Sequence, residues 1–134
     1  MDWKECLAKK IARPSNIDLE LINSLRQTSE NKKLSADILP LNETTITSKI
    51  SLYYDSAREL LEAIAISKNF KIYNHECYTC FLKEIVKNEE LSQLFDRLRI
   101  LRNSLNYYGQ SITLADGSQT IDELKKLITG LKNQ

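Results

Sequence analysis

A helical repeat of leucines between residues 91 and 108 constrains the fold of this chain more than any other feature. The repeat places apolar side chains at alternating spacings of three and four residues, as on one face of an α-helix: Leu91, Leu94, Leu98, Leu101, Leu105 and Tyr108. We therefore predict a helix of about five turns with one buried face. Gly109 follows it and can supply a left-handed C-cap.

The same period recurs along most of the chain. The longest predicted helix runs from about Glu43 to Asn69 and has a bundle-like seam: Ile46, Ile50, Tyr53, Ala57, Leu60 and Ile64. Asn74 can cap a helix of about thirteen residues, and Asn88 separates that helix from the leucine helix. Short connections between these three helices predict antiparallel neighbours.

The two ends of the chain are also predicted to be helical. Trp3, Leu7 and Ile11 mark a short helix that ends at Arg13-Pro14. Ser15 or Asn16 can cap the next helix, which has apolar positions at Ile17, Leu19, Leu21, Ile22 and Leu25. Near the other terminus, residues 110–118 are predicted to form a loop, and the capping box Thr120-Ile-Asp-Glu123 is predicted to begin the last helix.

Length and composition favour one all-α domain. The chain has 134 residues, of which three are glycine and two are proline, so few positions favour tight turns. We predict a single domain over residues 1–134, an up-and-down bundle of four to five helices with a short extra N-terminal helix.

The charge and hydropathy of the chain bear on whether it contacts nucleic acid or a membrane. Nineteen basic residues stand against eighteen acidic ones, giving a formal charge of +1, so any nucleic-acid contact requires a local basic patch. The apolar runs are too short to span a bilayer, and the first residues lack the apolar core of a signal peptide. We expect a cytoplasmic protein with no membrane association.

The three cysteines leave two interpretations open. Cys77 and Cys80 form a CxxC preceded by His75, which is the spacing of half a zinc or redox site, but only Cys6 could add a further sulfur. Cys77 and Cys80 also share a helix face, where cysteine is often a small buried apolar residue. We favour the second interpretation and predict no metal site and no cofactor.

A polar stripe beside the leucine seam holds the candidate functional residues. It combines arginine, short amides and tyrosine, groups suited to phosphate and base contacts: Arg99, Arg102, Asn103, Asn106 and Tyr107. We predict that Arg102, Asn103, Asn106 and Tyr107 bind a ligand, and that Arg99 is solvated or ion-paired.

Two segments of the chain resemble the HEPN-domain family. Residues 53–65, YYDSARELLEAIA, are similar to the central helix of that family, and residues 101–109, LRNSLNYYG, are similar to its signature helix. The resemblance implies a four- or five-helix bundle that forms a homodimer. In HEPN ribonucleases an arginine followed by a polar residue is joined about one turn later by a histidine, and two copies meet in a cleft that cuts RNA without metal. Other members partner a nucleotidyltransferase in toxin–antitoxin pairs.

Arg102 and Asn103 match the first part of that motif, but Tyr107 stands where the histidine is expected. An unperturbed phenol has a pKa of about 10 and is poorly suited to proton transfer near neutrality. We therefore expect a non-enzymatic or weakly active homodimer that binds RNA, a nucleotide or a nucleotidyltransferase partner. One alternative is a metal-independent ribonuclease that uses His75 or Tyr107, with Arg102, as catalytic residues; another is a purely structural interaction bundle.

His75 is the only histidine in the chain. If it replaces the missing motif histidine from a neighbouring helix, its imidazole should lie near Arg102, within reach of one bridging water. Helix connectivity independently places His75 at the same end of the bundle as Asn103 and Tyr107.

Overall fold

The computed structural model describes all residues 1–134 and contains six helices and one two-stranded ribbon. The elements in chain order are α1 (Trp3–Ala8), β1 (Ala12–Pro14), α2 (Leu19–Ile38), α3 (Ile46–Ser67), β2 (Phe70–Ile72), α4 (His75–Glu84), α5 (Glu89–Tyr107) and α6 (Leu114–Lys132). The all-α helical bundle is therefore confirmed. None of its helices combines the length and the apolar character that crossing a bilayer demands.

Helix α3 lies at the centre of the bundle, packed between α2 and α6, with α5 also against it. Every residue of its predicted seam is buried, and most of the other side chains in its second half are buried as well. The expectation that α3, α4 and α5 are successive neighbours holds for α4 and α5. The main neighbours of α3, however, are α2 and α6, because they cover a larger part of its apolar surface.

Small and polar side chains allow α2 and α3 to approach closely. Ser29 and Ser56 each donate a hydrogen bond to the other's backbone carbonyl, at 2.7 and 2.8 Å. At the end of α2, the buried Lys49 donates to the carbonyls of Ala36 and Leu39, which have no partner within the helix. Lys49 thus caps α2 from a neighbouring helix.

The antiparallel ribbon ties the N-terminal segment to the connection between α3 and α4. Ala12 pairs with Ile72, and Pro14 pairs with Phe70. Asn69 ends α3 in the left-handed region at φ +70°, which asparagine tolerates better than most residues. Sequence analysis ended the predicted helix at about Asn69 but did not predict the strand that follows it.

Several predicted boundaries were wrong. The N-terminal helix ends at Ala8, so Ile11 lies outside it, and Asp18 caps α2 instead of Ser15 or Asn16. Ile17 and Leu19 are half or more exposed because the first turn of α2 extends past the core. Helix α3 begins at Ile46 instead of Glu43, and α4 has ten residues instead of thirteen.

The predicted start of the last helix was also wrong. Helix α6 begins at Leu114, with the Thr113 side chain accepting a hydrogen bond from the Asp116 N–H, so much of the predicted loop is helical. Thr120, predicted as the cap, bonds within the helix to the Asp116 carbonyl. The earlier start is possible because Gly117 has no side chain and α6 packs directly on Ile46 of α3.

Candidate functional site

Helices α3 and α5 run antiparallel and bring Arg102 against the aromatic ring of Tyr54. The Arg102 guanidinium carbon lies 4.9 Å from the centre of the Tyr54 ring and 5.4 Å from that of Tyr107. Both distances are within the range of cation–π attraction. Arg102 is therefore held between a fully buried tyrosine below and an exposed tyrosine at the end of its own helix.

The hydrogen bonds of Arg102 leave much of its binding capacity unused. Its Nη1 donates to the Tyr107 hydroxyl at 3.2 Å, and its Nη2 lies 3.5 Å from an oxygen of Asp55, at the limit of a hydrogen bond. The Nε atom is buried and has no partner. A guanidinium carries five N–H donors, so this side chain retains donors for an added acceptor.

His75 reaches the same tyrosine from the beginning of α4. The Asn74 side chain caps that helix by accepting from the Glu76 N–H at 2.8 Å, which places His75 in the first turn. The His75 Nδ1 atom lies 3.0 Å from the Tyr54 hydroxyl. Burial, together with the positive charges of Arg58 and Arg102, lowers the pKa of His75 below its usual value. We call Arg102, Tyr54, Tyr107, Asp55 and His75 the Arg102 cluster.

The surroundings of the Arg102 cluster are positively charged. Arg58, Arg99 and Arg102 all act on the Tyr54 hydroxyl, where burial, opposed by these arginines, raises the pKa to about 12. Arg99 is paired with Asp96 through two hydrogen bonds of 2.9 and 3.2 Å. The ion-paired role predicted for Arg99 is therefore found.

The other predicted ligand residues lie along the same side of α5. Asn103 is half-buried and its side chain makes no hydrogen bond, whereas Asn106 accepts one from the Ser51 hydroxyl at 3.1 Å. Tyr107 is 68% exposed. Tyr108 was predicted on the apolar seam, but it is 77% exposed because α5 ends there and its side chain passes beyond the core. Phe95, which the seam omitted, is fully buried instead.

Sequence analysis missed two members of the Arg102 cluster, Tyr54 and Asp55. Tyr54 is completely buried, but its hydroxyl contacts His75 and its ring face contacts Arg102. The available signals were that Tyr54 and Asp55 directly follow Tyr53 of the α3 seam and that both lie in the segment 53–65 singled out in the sequence. Nothing local in the sequence indicates which partners they meet.

The structure confirms the burial predicted for Cys77 and Cys80, but it adds a disulfide that neither sequence interpretation contained. Cys6 and Cys77 form a disulfide that joins α1 to α4, while Cys80 is a buried free thiol. No group of three His, Cys, Asp or Glu side chains has the geometry of a metal site. Disulfides persist mainly in oxidising compartments, and the cytoplasmic location stays a prediction.

The largest cavity of the chain lies elsewhere. It is a groove of about 560 Å³ between the start of α2 and Lys71 of β2, lined in part by Ile17, Leu19 and Ile66. None of the five main cavities is lined by a member of the Arg102 cluster. Comparison of the chain with family models, with curated proteins and with solved structures gives no match.

Proposed function

We propose that the chain is a HEPN-like module that binds single-stranded RNA through Arg102, Asn103 and Tyr107. The observation that carries the proposal is the state of Arg102, whose guanidinium is oriented by two tyrosine rings while its Nε has no partner and its ion pair with Asp55 is long. A pre-oriented guanidinium with unused donors suits a phosphodiester. Tyr107 adds an exposed aromatic ring on which a base can stack.

The test is binding of a labelled oligouridylate, followed by fluorescence anisotropy. Arg102→Ala should weaken binding by about 1.5–3 kcal/mol, or roughly ten- to a hundredfold, because a charge-assisted contact is lost. It should also reduce the slope of log affinity against log salt by about 0.7.

Arg97→Ala is the matched control, since Arg97 is on the same helix, carries the same charge and pairs with Glu123. Equal loss in both variants would mean that only the general charge matters, and an unchanged Arg102→Ala affinity would refute the proposal.

The proposal also includes a homodimer, in which two copies of the chain form the binding cleft together. Helix α5 and its C-cap present three large exposed side chains, Ile100 (53%), Tyr107 (68%) and Tyr108 (77%). Tyr107 belongs to the Arg102 cluster, which lines none of the five main cavities of one protomer. A second copy packed on this surface would supply the opposite wall of a cleft. Ile100→Glu should then convert a dimer into a monomer in light scattering, whereas Leu34→Glu on α2, at a comparably exposed position, should not.

A metal-independent ribonuclease is the second candidate, and the position of His75 favours it. Tyr54 contacts both Arg102 and His75, so the only histidine lies in the same cluster as the arginine. RNA cleavage in excess chelator that is lost in Arg102→Ala and in His75→Ala, with both variants folded, would support the enzyme. No cleavage at high protein concentration would leave binding as the function.

A nucleotidyltransferase partner, free nucleotide binding and a purely structural bundle rest on the family resemblance alone. If oligouridylate does not bind, co-expression with a nucleotidyltransferase encoded nearby is the next experiment. A stable complex that Tyr107→Ala disrupts would assign the exposed α5 surface to that partner.

A further inference from the structure

The burial of the Tyr54 hydroxyl allows a direction to be assigned to its hydrogen bond with His75. Tyr54 is fully buried, and the only hydrogen-bond partner of its hydroxyl is the His75 Nδ1 at 3.0 Å. A buried hydroxyl must place its hydrogen on an acceptor or lose the energy of that bond. The Tyr54 hydroxyl therefore donates, and Nδ1 accepts.

The direction of this bond determines where His75 carries its own hydrogen. A nitrogen that accepts has a free lone pair, so a neutral imidazole with Nδ1 as acceptor carries its hydrogen on Nε2. An imidazolium has hydrogens on both nitrogens and would leave the Tyr54 hydroxyl without an acceptor. The bond thus selects the neutral ring with hydrogen on Nε2.

The charges around His75 also oppose the imidazolium. Arg58 from α3 and Arg99 and Arg102 from α5 act on the ring, against one nearby carboxylate, Asp55. Tyr78, the ring neighbour on α4, is uncharged because burial raises the pKa of its hydroxyl. Burial and the arginines lower the pKa of His75 below its usual value, which favours the neutral ring.

The other ring nitrogen of His75 is available to a ligand. Nε2 makes no hydrogen bond within the protein, and it is not among the buried atoms that lack a partner. His75 therefore has one N–H donor that no protein group uses, on a ring that lies within electrostatic reach of Arg102.

We propose that Tyr54 is a positioning residue that holds His75 as the neutral Nε2–H tautomer. In this form His75 donates a hydrogen bond to a phosphate bound beside Arg102 and does not act as a proton acceptor. The phosphate part of this inference rests on the proposed function, but the tautomer part does not. This tautomer excludes His75 as the general base of the ribonuclease alternative, because Nε2 already carries a hydrogen and Nδ1 already accepts a hydrogen bond from Tyr54.

The tautomer is tested on the free, full-length protein by long-range proton–nitrogen NMR correlation with labelled histidine. At pH 7 the wild type should show Nδ1 as an unprotonated acceptor and Nε2 as protonated. Tyr54→Phe keeps the ring under Arg102 but removes the hydroxyl, so the Nδ1 resonance should shift and the Nδ1–H form should become more populated.

Tyr78→Phe is the matched control, because it removes the hydroxyl of another buried tyrosine beside His75 that forms no hydrogen bond with it. Its spectrum should match that of the wild type. A protonated Nδ1 or an imidazolium in the wild type at pH 7 overturns the inference.

The donor role is tested with inorganic phosphate and with oligouridylate. Phosphate should shift the Nε2–H resonance, and His75→Gln, whose amide N–H can occupy the Nε2 position, should bind oligouridylate within about threefold of the wild type. His75→Ala should bind roughly tenfold more weakly, because it loses a hydrogen bond to a charged group.

These outcomes separate the two proposals. If phosphate shifts the Nε2–H resonance but oligouridylate does not bind, the RNA function fails and the donor role survives. If neither probe acts on Nε2, or if His75→Gln binds as weakly as His75→Ala, the donor role is overturned.

Discussion

Reduction of the Cys6–Cys77 disulfide should destabilise the protein by several kcal/mol. The bond closes a loop with a sequence separation of 71 residues. The chain-entropy relation for a loop of that length gives about 4 kcal/mol at 25 °C, because the reduced chain gains that much freedom when it unfolds. Both sulfurs are buried, and the bond is the only covalent link between α1 and α4.

That free energy converts into a measurable shift in melting temperature. The entropy of unfolding of globular proteins is about 2.1 cal/mol/K per residue near 60 °C, so a chain of 134 residues has an unfolding entropy of roughly 0.3 kcal/mol/K. A loss of about 4 kcal/mol then lowers the Tm by about 15 °C. Folding should survive, because Trp3 still packs on Phe70 and Phe81 at ring distances of 5.1 and 5.6 Å.

The assay is thermal unfolding by circular dichroism with and without a phosphine reductant. The double variant Cys6→Ala/Cys77→Ala should not respond to reductant, while Cys80→Ala should respond like the wild type because Cys80 is a free thiol. A shift of less than about 3 °C on reduction would refute the entropic reasoning. A Cys77–Cys80 bond in non-reducing peptide mapping would refute the pairing itself.

Two further predictions concern the packing of α6 and the charge state of His75. Gly117→Ala should lower the stability by about 1–3 kcal/mol in urea unfolding, because the added Cβ would lie 2.6 Å from the Ile46 Cδ1. The control is the same substitution in an Ile46→Ala background, where the loss should be smaller, and equal losses in both backgrounds would argue against a clash. Burial and Arg58 lower the pKa of His75. Below about pH 6.5 the unfolded chain therefore binds a proton that the native chain does not, and the free energy of unfolding should fall as the pH falls. His75→Gln should flatten this pH dependence, and an unchanged slope in the variant would contradict the prediction.

Sequence analysis was correct for features that depend on interactions between residues close in sequence, namely helix periodicity and helix caps. The α3 seam was correct at every position because an amphipathic period is a property of the segment itself. Asn74 was recognised as a cap because its side chain bonds a backbone N–H only two residues away. Asn88, predicted only to separate two helices, caps α5 by accepting from the Leu91 N–H. Gly109 has the predicted left-handed conformation, at φ +64°.

The local signals failed where a distant part of the chain decided between alternatives. Thr120 was predicted to cap the last helix, but Thr113 caps it, and Gly117 allows the first turn of α6 to pack closely on α3. In the same way, Tyr108 continues the leucine period but lies beyond the last neighbour that could cover it. Periodicity reports which face of a helix is apolar and does not report how far the core extends.

The sequence by itself determined the helical class, most of the helices and the placement of Arg102 and Tyr107 about one turn apart on α5. Only the tertiary structure decided that Tyr54 lies between Arg102 and His75 and that Cys77 pairs with Cys6 instead of Cys80. The physical reason is the range of the interactions. Helix periods and caps act within a few residues, whereas these contacts join residues separated by 21 to 71 positions and exist only once the bundle has packed.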